Sequence, residues 1–189
     1  TQAKTLFPYT TLFRSVFTAW EHLTAAELRQ LADGIAYFLD PPRAKVYQAT
    51  GATTLTTATW GKLLYDTESW DSNPGTMHST TASSGLLVCR TAGQFTTTAQ
   101  VTFTSNATGY RAVQIRKNSA GSSTGGTQVA ISTVPAVNGA DTRLQVTGEA
   151  LLVSGDHLEV FAYQTSGGNL DTIVGPASAT FFQARWVAA

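Results

Sequence analysis

The sequence has few charged side chains and a single cysteine. Charged residues make up 13% of its 189 residues, and the formal net charge is +0. This is about half the usual charged share of a globular protein. Without a basic field there is nothing to attract phosphates, so neither nucleic acid nor an anionic membrane is expected as a partner. Cys89 cannot form an intrachain disulfide, and it follows an apolar run at 86–88, where we expect a small buried side chain.

Long apolar runs are also missing. No stretch approaches the roughly 20 apolar residues of a transmembrane helix, and no secretory signal peptide is recognisable. We therefore expect a protein made and folded in a cytoplasm. Residues 1–15 do not match the pattern of the remaining chain and resemble translated adaptor sequence, so they are predicted to be a non-native or disordered leader. A genuine β-prone arm is the alternative for this segment.

Catalytic motifs are absent as well. The three histidines, His22, His78 and His157, lack the spacing of paired metal ligands. No Gly-x-Ser-x-Gly elbow occurs between a strand and a helix, and no glycine pair is followed by the helix and lysine of a phosphate loop. The sequence therefore predicts a protein that binds or assembles, with no enzymatic activity and no cofactor.

Two groups of carboxylates offer weak alternatives to that interpretation. Asp66, Glu68 and Asp71 lie within six residues and are the weak candidates for a calcium site. A glycosidase needs two facing carboxyl groups, for which the candidates near strand ends are Glu149, Asp156 and Glu159. Solvated acids are the preferred interpretation of both groups, and no metal is expected.

Alternation of apolar and polar residues is the strongest pattern that is present. It runs through 93–104, where one face of the predicted strand carries Phe95, Thr97, Ala99, Val101 and Phe103. A period of two predicts an antiparallel strand with one buried face. The turn cluster 106–109 and the run 110–117, in which Arg111, Val113 and Ile115 share a side, predict a hairpin with that strand.

Beyond residue 44 the chain shows only strand and turn patterns. Nine strands are predicted at 45–50, 60–65, 85–90, 95–104, 110–117, 127–134, 142–152, 157–164 and 179–187. Short strands without intervening helices favour a sandwich or jelly roll over a parallel sheet. The predicted fold class is all-β, an antiparallel jelly-roll sandwich of about eight to ten strands at 43–189, preceded by a short N-terminal helix.

The helix is predicted to follow Thr24, which stands in capping-box spacing with Glu27, and to end before Pro41 and Pro42. Its apolar stripe is Leu28, Leu31, Ile35 and Phe38. Such a stripe needs a partner: the β domain, sister copies of the helix, or another protein. We favour the last two, because the two prolines form a stiff joint. Segment 16–42 is therefore predicted to attach or trimerise the chain.

Aromatic side chains predict an oligomer. In the strand 157–164, Phe161 and Tyr163 lie opposite the apolar face, and a second apolar face is normally covered by a subunit. The last strand repeats this pattern, so the predicted interface residues are Phe161, Tyr163, Phe182 and Trp186. The four tryptophans, Trp20, Trp60, Trp70 and Trp186, could instead form a sugar-stacking surface, although core or subunit contacts are favoured.

Arg111 is a charge on the apolar side of its strand. If this guanidinium is buried, it needs an ionic partner, and we expect Asp156 or Glu159 to supply it.

Short motifs in a consistent order resemble a known family. They are Trp60, Leu64, Tyr65, Asp66, Asp71, Met77, His78, Gly93, Phe95, Asn106, Gly109, Arg111, Ile115, Asn118, Gly155, Asp156, Glu159, Tyr163, Gln164, Ser166 and Gly167. Together they are similar to the complement-head and tumour-necrosis-factor-like jelly roll, in the version at the carboxyl end of tail and fibre proteins of actinobacterial phages. Loop 119–124 is longer than the family's sharp turn, so we expect it to be mobile, with an exposed tip for a partner.

The segment before this domain resembles the short helical module of such minor tail proteins. The residues that carry this likeness are Phe17, Thr18, Ala19, Glu21, Leu23, Thr24, Ala25, Ala26, Leu28, Phe38, Leu39, Pro41 and Pro42. The whole resemblance, over residues 16–189, implies a homotrimer standing on a helix that trimerises or docks to other virion proteins.

The function implied is a structural or receptor-binding component of a phage virion, at the tail tip, on a fibre or as a head fibre. It would bind a cell-surface polymer such as a glycan by avidity. The alternatives are a glycan-cleaving fibre domain and a non-viral secreted head domain of the tumour-necrosis-factor-like fold.

Overall fold

The computed structural model describes residues 24–72, 76–177 and 179–188. It divides the chain into two compact units, residues 1–40 and 41–189. The predicted leader 1–15, Trp20 and His22 lie outside the described residues, as do the side chain of Phe38 and the expected turn at 73–75. The predicted functions of these segments therefore stay predictions.

The first unit contains one described helix, α1 (Ala25–Leu39). The backbone N–H of Glu27 donates to Thr24 Oγ1 at 3.2 Å, and the Thr24 N–H donates back to the Glu27 carboxylate at 2.7 Å. The capping box is confirmed. These bonds, first the one from the Thr24 backbone, lower the pKa of Glu27. The stripe residues Leu28, Leu31 and Ile35 are each about half exposed within the described chain.

None of the described helices has the length and apolar composition needed to cross a membrane.

The second unit consists of strands. They are β1 (Arg43–Tyr47), β2 (Thr54–Leu55), β3 (Gly61–Lys62), β4 (Thr67–Asp71), β5 (Leu86–Val88), β6 (Gly93–Phe103), β7 (Tyr110–Lys117), β8 (Thr127–Pro135), β9 (Thr142–Leu152), β10 (His157–Gln164), β11 (Leu170–Asp171) and β12 (Phe181–Ala188). The predicted bounds of β7, β9 and β10 are confirmed. The short strands β2, β4 and β11 were not predicted, because two to five residues give too little alternation.

Two antiparallel sheets form the sandwich. Sheet A has the strand order β4-β1-β12-β6-β9, and sheet B has the order β3-β10-β7-β8, with β5 also paired to β10. A separate two-stranded sheet joins β11 and β2. The all-β, antiparallel fold class is confirmed.

The inner faces of both sheets supply the core. Phe95, Val101 and Phe103 of β6 have no exposed surface, so the predicted buried face is confirmed. The opposite, polar face is not fully solvated, because Thr98, Gln100 and Thr102 are buried as well. Cys89 is also fully buried, and its thiol donates to the carbonyl of Thr91 at 2.9 Å. Burial raises the pKa of the Cys89 thiol, which suits a structural side chain.

The predicted hairpin between β6 and β7 is wrong. Strand β6 pairs with β12 and β9 in sheet A, whereas β7 pairs with β10 and β8 in sheet B. Segment 104–109 therefore crosses from one sheet to the other. Both strands bury one face in the same core, and turn residues alone do not distinguish such a crossing from a hairpin.

Candidate binding and association surfaces

Two of the predicted interface residues belong to the interior of a single chain. Phe182 has no exposed surface and lies in the core, with its ring centroid 6.1 Å from that of Tyr65. Phe161 is only 1% exposed. The prediction that Phe161 and Phe182 contact a subunit is therefore wrong, since the chain itself already covers both side chains.

Loop 118–126 lies on the same face of sheet B as Phe161. Gln114 stands opposite Phe161 in the β7–β10 ladder, and its side-chain amide donates to the Ser123 carbonyl at 2.9 Å. The Arg116 guanidinium donates to the carbonyl of Gly125 at 2.6 Å. This loop, expected to be mobile, is instead bonded to the sheet at several points, so the second apolar face of β10 needs no subunit to cover it.

Glu159 anchors the beginning of that loop. Its buried carboxylate lies 2.5 Å from Lys62 Nζ, and it accepts hydrogen bonds from the Ser119 hydroxyl and the Gly121 N–H. Burial acts to raise the pKa of Glu159, but the bonds from Lys62, Ser119 and Gly121 and the charge of Lys62 outweigh it and hold the pKa below its usual value. The carboxylate therefore stays ionised as the fixed point of the loop.

Arg111 is buried, and no carboxylate of the described residues forms an ion pair with it. Its guanidinium donates to the carbonyls of Asn106 at 2.9 Å and Thr108 at 3.0 Å, and it lies 5.8 Å from the ring centroid of Phe103. Burial lowers the pKa of Arg111. The prediction of an ion pair with Asp156 or Glu159 is wrong, because backbone carbonyls of the crossing segment 104–109 accept from the guanidinium, whereas Asp156 and Glu159 contact other donors.

Asp156 contacts Asn118 and Lys117 and not Arg111. It accepts a hydrogen bond from the Asn118 amide at 2.6 Å and lies 2.7 Å from Lys117 Nζ. Although burial acts to raise it, these contacts and the N–H of Val153 lower the pKa of Asp156 to about 2.

The weak calcium candidates are each occupied by hydrogen-bond donors. Asp66 accepts the backbone N–H groups of residues 49–51, which hold its pKa far below the usual range against the opposing effect of burial. Asp71 accepts the N–H groups of Met77 and His78, and Glu68 lies 2.9 Å from His78 Nδ1. In the part of the chain that the structure describes, no three metal-ligating side chains come together. Asp66 and Asp71 therefore hold loop backbone in place through the N–H groups that donate to them.

The other two predicted interface residues have different surroundings. Trp186 packs partly buried against the core, and its indole N–H donates to the Ala92 carbonyl at 3.2 Å. Tyr163 is half-buried on the outer face of sheet B. Its ring centroid lies 5.1 Å from that of Trp60 and 5.6 Å from that of Tyr110. We call Trp60, Tyr163 and Tyr110 the aromatic row.

The outer face of sheet A has a different chemistry. Its centre is a set of uncharged polar side chains from three neighbouring strands, which we call the association face: Thr96, Thr98, Gln145, Thr147 and Gln183. Gln145 and Thr147 are exposed, and the hydroxyls of Thr98 and Thr147 lie 3.1 Å apart. Aromatic side chains border this face at Tyr47, Trp70 and Phe181.

Cations cover two of these bordering rings. Lys45 Nζ lies 4.5 Å from the ring centroid of Phe181, and the Arg43 guanidinium lies 5.4 Å from that of Trp70. Charged side chains also stand directly beside the association face on the same side of sheet A: Lys45 lies opposite Gln183, and Thr96 lies between Arg185 and Glu149.

Comparison with solved structures identifies the fold class. Murine APRIL at pH 5.0 matches with a TM-score of 0.58 at 12% identity, over 77% of this chain and 98% of that chain. Eiger TNF from S. frugiperda matches with a TM-score of 0.53 at 14% identity, over 78% of this chain and 92% of that chain. No protein-family model and no curated protein matches the sequence. The fold is therefore a tumour-necrosis-factor-like jelly roll, as the resemblance implied.

Proposed function

We propose that the chain is a self-associating binding domain, a homotrimer that serves as a structural and receptor-binding component of a phage virion. One observation carries the proposal of self-association: the uncharged patch at the centre of the outer face of sheet A, which Lys45, Arg185 and Glu149 surround. In a symmetric trimer each residue near the three-fold axis meets its own copies, so a charge there would repel itself. Threonine and glutamine side chains avoid this repulsion and can hydrogen-bond across the interface.

The exposed stripe of α1 supports a second contact between copies or with another virion protein. An isolated helix of 15 residues is marginally stable in water. Leu28, Leu31 and Ile35 would gain burial from sister helices or from a docking partner. This contact would make the helix the attachment segment and the jelly roll the exposed head.

The phage role is supported by the order of short motifs in the sequence, and the jelly-roll fold is compatible with it. Three copies would bind a cell-surface polymer by avidity, since each linked site raises the effective concentration at the next. The protein would then reside on the virion after synthesis in the host cytoplasm.

We further propose binding without catalysis. A glycosidase needs one carboxyl group with a raised pKa as general acid. Among the candidate carboxylates, the pKa values of Asp156 and Glu159 are instead lowered, and Glu149 accepts a hydrogen bond from Gln94 at 2.7 Å.

Two measurements test this proposal. The mass of the full chain in solution should be about three times the 20.0 kDa of one chain, and a single-chain mass would refute the trimer. An antibody against the chain should label the tail or fibres of phage particles whose genome encodes it. Labelled cell debris with unlabelled particles would refute the virion role and leave the trimer standing.

A further inference from the structure

We propose that the aromatic row is a binding site for neutral saccharides. A pyranose ring of the saccharide stacks on Tyr110, which is the exposed end of the row. This inference deepens the proposed receptor-binding function and rests on it for its biological meaning.

The row runs across three adjacent strands of sheet B. Trp60 immediately precedes β3, Tyr163 is on β10 and Tyr110 begins β7. Each ring packs against the next, at centroid distances of 5.1 and 5.6 Å, and the two tyrosine rings are inclined by only 27°. The rings hold one another in place, so little side-chain entropy remains to be lost when a ligand binds.

The chain covers one half of this sheet face and leaves the other open. Loop 118–126 bonds to Gln114, Arg116 and Glu159, away from the row. At the row, Tyr110 is 42% exposed, and Pro135, which stands opposite it on β8, is exposed as well. Ile131, which is 47% exposed, lies further along β8, opposite Gln114. The Tyr110 ring is therefore accessible to a ligand, whereas the neighbouring half of the sheet face is covered by loop 118–126.

The surroundings of the row favour an uncharged ligand. The strand residues that share this half of the face are Ala112, Thr133 and Pro135. The ammonium group of Lys62, on β3 beside the row, is held 2.5 Å from the Glu159 carboxylate. A hydrogen bond with Tyr110, together with burial, raises the pKa of Tyr163, so that this phenol stays neutral at physiological pH.

A pyranose ring matches these groups chemically. It presents an apolar C–H face that can lie on an aromatic ring and a rim of hydroxyls that can bond to phenol and threonine hydroxyls. An anionic or cationic ligand would meet no opposite charge on Ala112, Thr133 or Pro135. A protein partner is the competing occupant, and it would use the aliphatic Ile131 as readily as the rings.

The position of the row also suits the proposed assembly. The two sheets pack face to face through the core, so the outer face of sheet B points away from the association face on sheet A. A trimer formed through sheet A would leave three rows on its outside, where a repeating polymer can engage them together.

Saturation-transfer NMR on the full chain tests the site. The probes are the neutral tetrasaccharides of maltose, cellulose and chitin type, with tetragalacturonate as the anionic comparison. We expect at least one neutral probe to bind with millimolar affinity, with saturation concentrated on the C–H protons of one sugar ring. Tyr110→Ala should weaken this binding about tenfold or more, whereas Tyr110→Phe, which keeps the ring, should retain most of it.

Ile131→Ala is the matched control, because it removes an equally exposed side chain without an aromatic face. The Ile131→Ala variant should leave saccharide binding unchanged. Trp60→Ala should weaken saccharide binding as well, and thermal unfolding of that variant checks that it folds. The proposal is overturned if no neutral probe binds at about 10 mM, if the anionic probe binds equally well, or if Ile131→Ala weakens binding as much as Tyr110→Ala.

Solution mass separates this result from that of the proposed trimer. A trimeric chain that binds no saccharide overturns the site alone, whereas a monomeric chain that binds saccharide through Tyr110 overturns the assembly alone.

Discussion

The outer faces of sheet A and sheet B differ in the side chains that they carry and in how the chain covers those side chains. Sheet B carries large side chains outward, and the chain seals half of that face with loop 118–126 while leaving the aromatic row open. Sheet A carries threonine and glutamine outward at its centre and leaves Gln145 and Thr147 uncovered. An apolar outer face therefore need not imply a subunit, since a loop of the same chain can cover it, whereas a polar, uncharged face can be suited to symmetric contact.

A charge at the centre of the association face should have the strongest consequence. Thr147→Lys would bring three lysines towards the proposed axis, and their repulsion should dissociate the trimer at micromolar concentration. Light scattering should then report the mass of one chain. Gln128→Lys, an exposed change on strand β8 of sheet B, is the control and should leave the mass unchanged. Equal behaviour of the two variants would mean that sheet A is not the contact.

The next effect concerns the loop that seals sheet B. Glu159→Gln removes the charge that holds Lys62, Ser119 and Gly121, so the free energy of unfolding should fall by about 2–3 kcal/mol. Urea unfolding measures this change. Glu149→Gln makes the same chemical change at an exposed site on sheet A and should cost less than about 0.5 kcal/mol. Similar losses in both variants would contradict a special anchoring role of Glu159.

Acid should act on the same anchors. The folded-state pKa values of Asp66, Asp156 and Glu159 are lowered, so their stabilising contribution is complete above about pH 5 and is lost as the pH falls through about 4 towards 2. Urea midpoints should therefore fall steadily from about pH 5 to about pH 2.5. Glu159→Gln should show a smaller fall than the unsubstituted chain, because one of the three titrating groups is gone. An unchanged slope would show that Glu159 is not ionised in the folded state.

A weaker effect is expected outside the sandwich. Thr24→Ala removes the side-chain half of the capping box and should destabilise α1 by about 1 kcal/mol, which lowers helical circular dichroism. Thr24→Ser keeps the hydroxyl and should restore the signal. The urea midpoint of the jelly roll should be the same in both variants, and a shift there would show that the helix stabilises the sheets.

The sequence predicted the features that depend on local periodicity. The strand β6 with its buried face and the Thr24–Glu27 capping box each depend on neighbours a few residues apart, and both were confirmed. The hairpin failed because strand pairing depends on partners far along the chain: Phe103 pairs with Thr142 and not with a residue of β7.

The surfaces were harder to predict for the same reason. Alternation correctly showed that Phe161 faces away from the core side of β10, but it could not show that loop 118–126 folds back over that face. Likewise, Arg111 was correctly placed on the buried side, yet its carbonyl partners come from a sheet-to-sheet crossing that no spacing rule specifies. The aromatic row joins Trp60, Tyr110 and Tyr163, which are distant in sequence, and only the strand order of sheet B brings them together.

Self-association through sheet A is decided by the mass of the intact chain at micromolar concentration. We expect a single species of about three times 20.0 kDa, which Thr147→Lys converts to one chain. A stable, folded species of 20.0 kDa for the unsubstituted chain would show that the chain does not form the trimer.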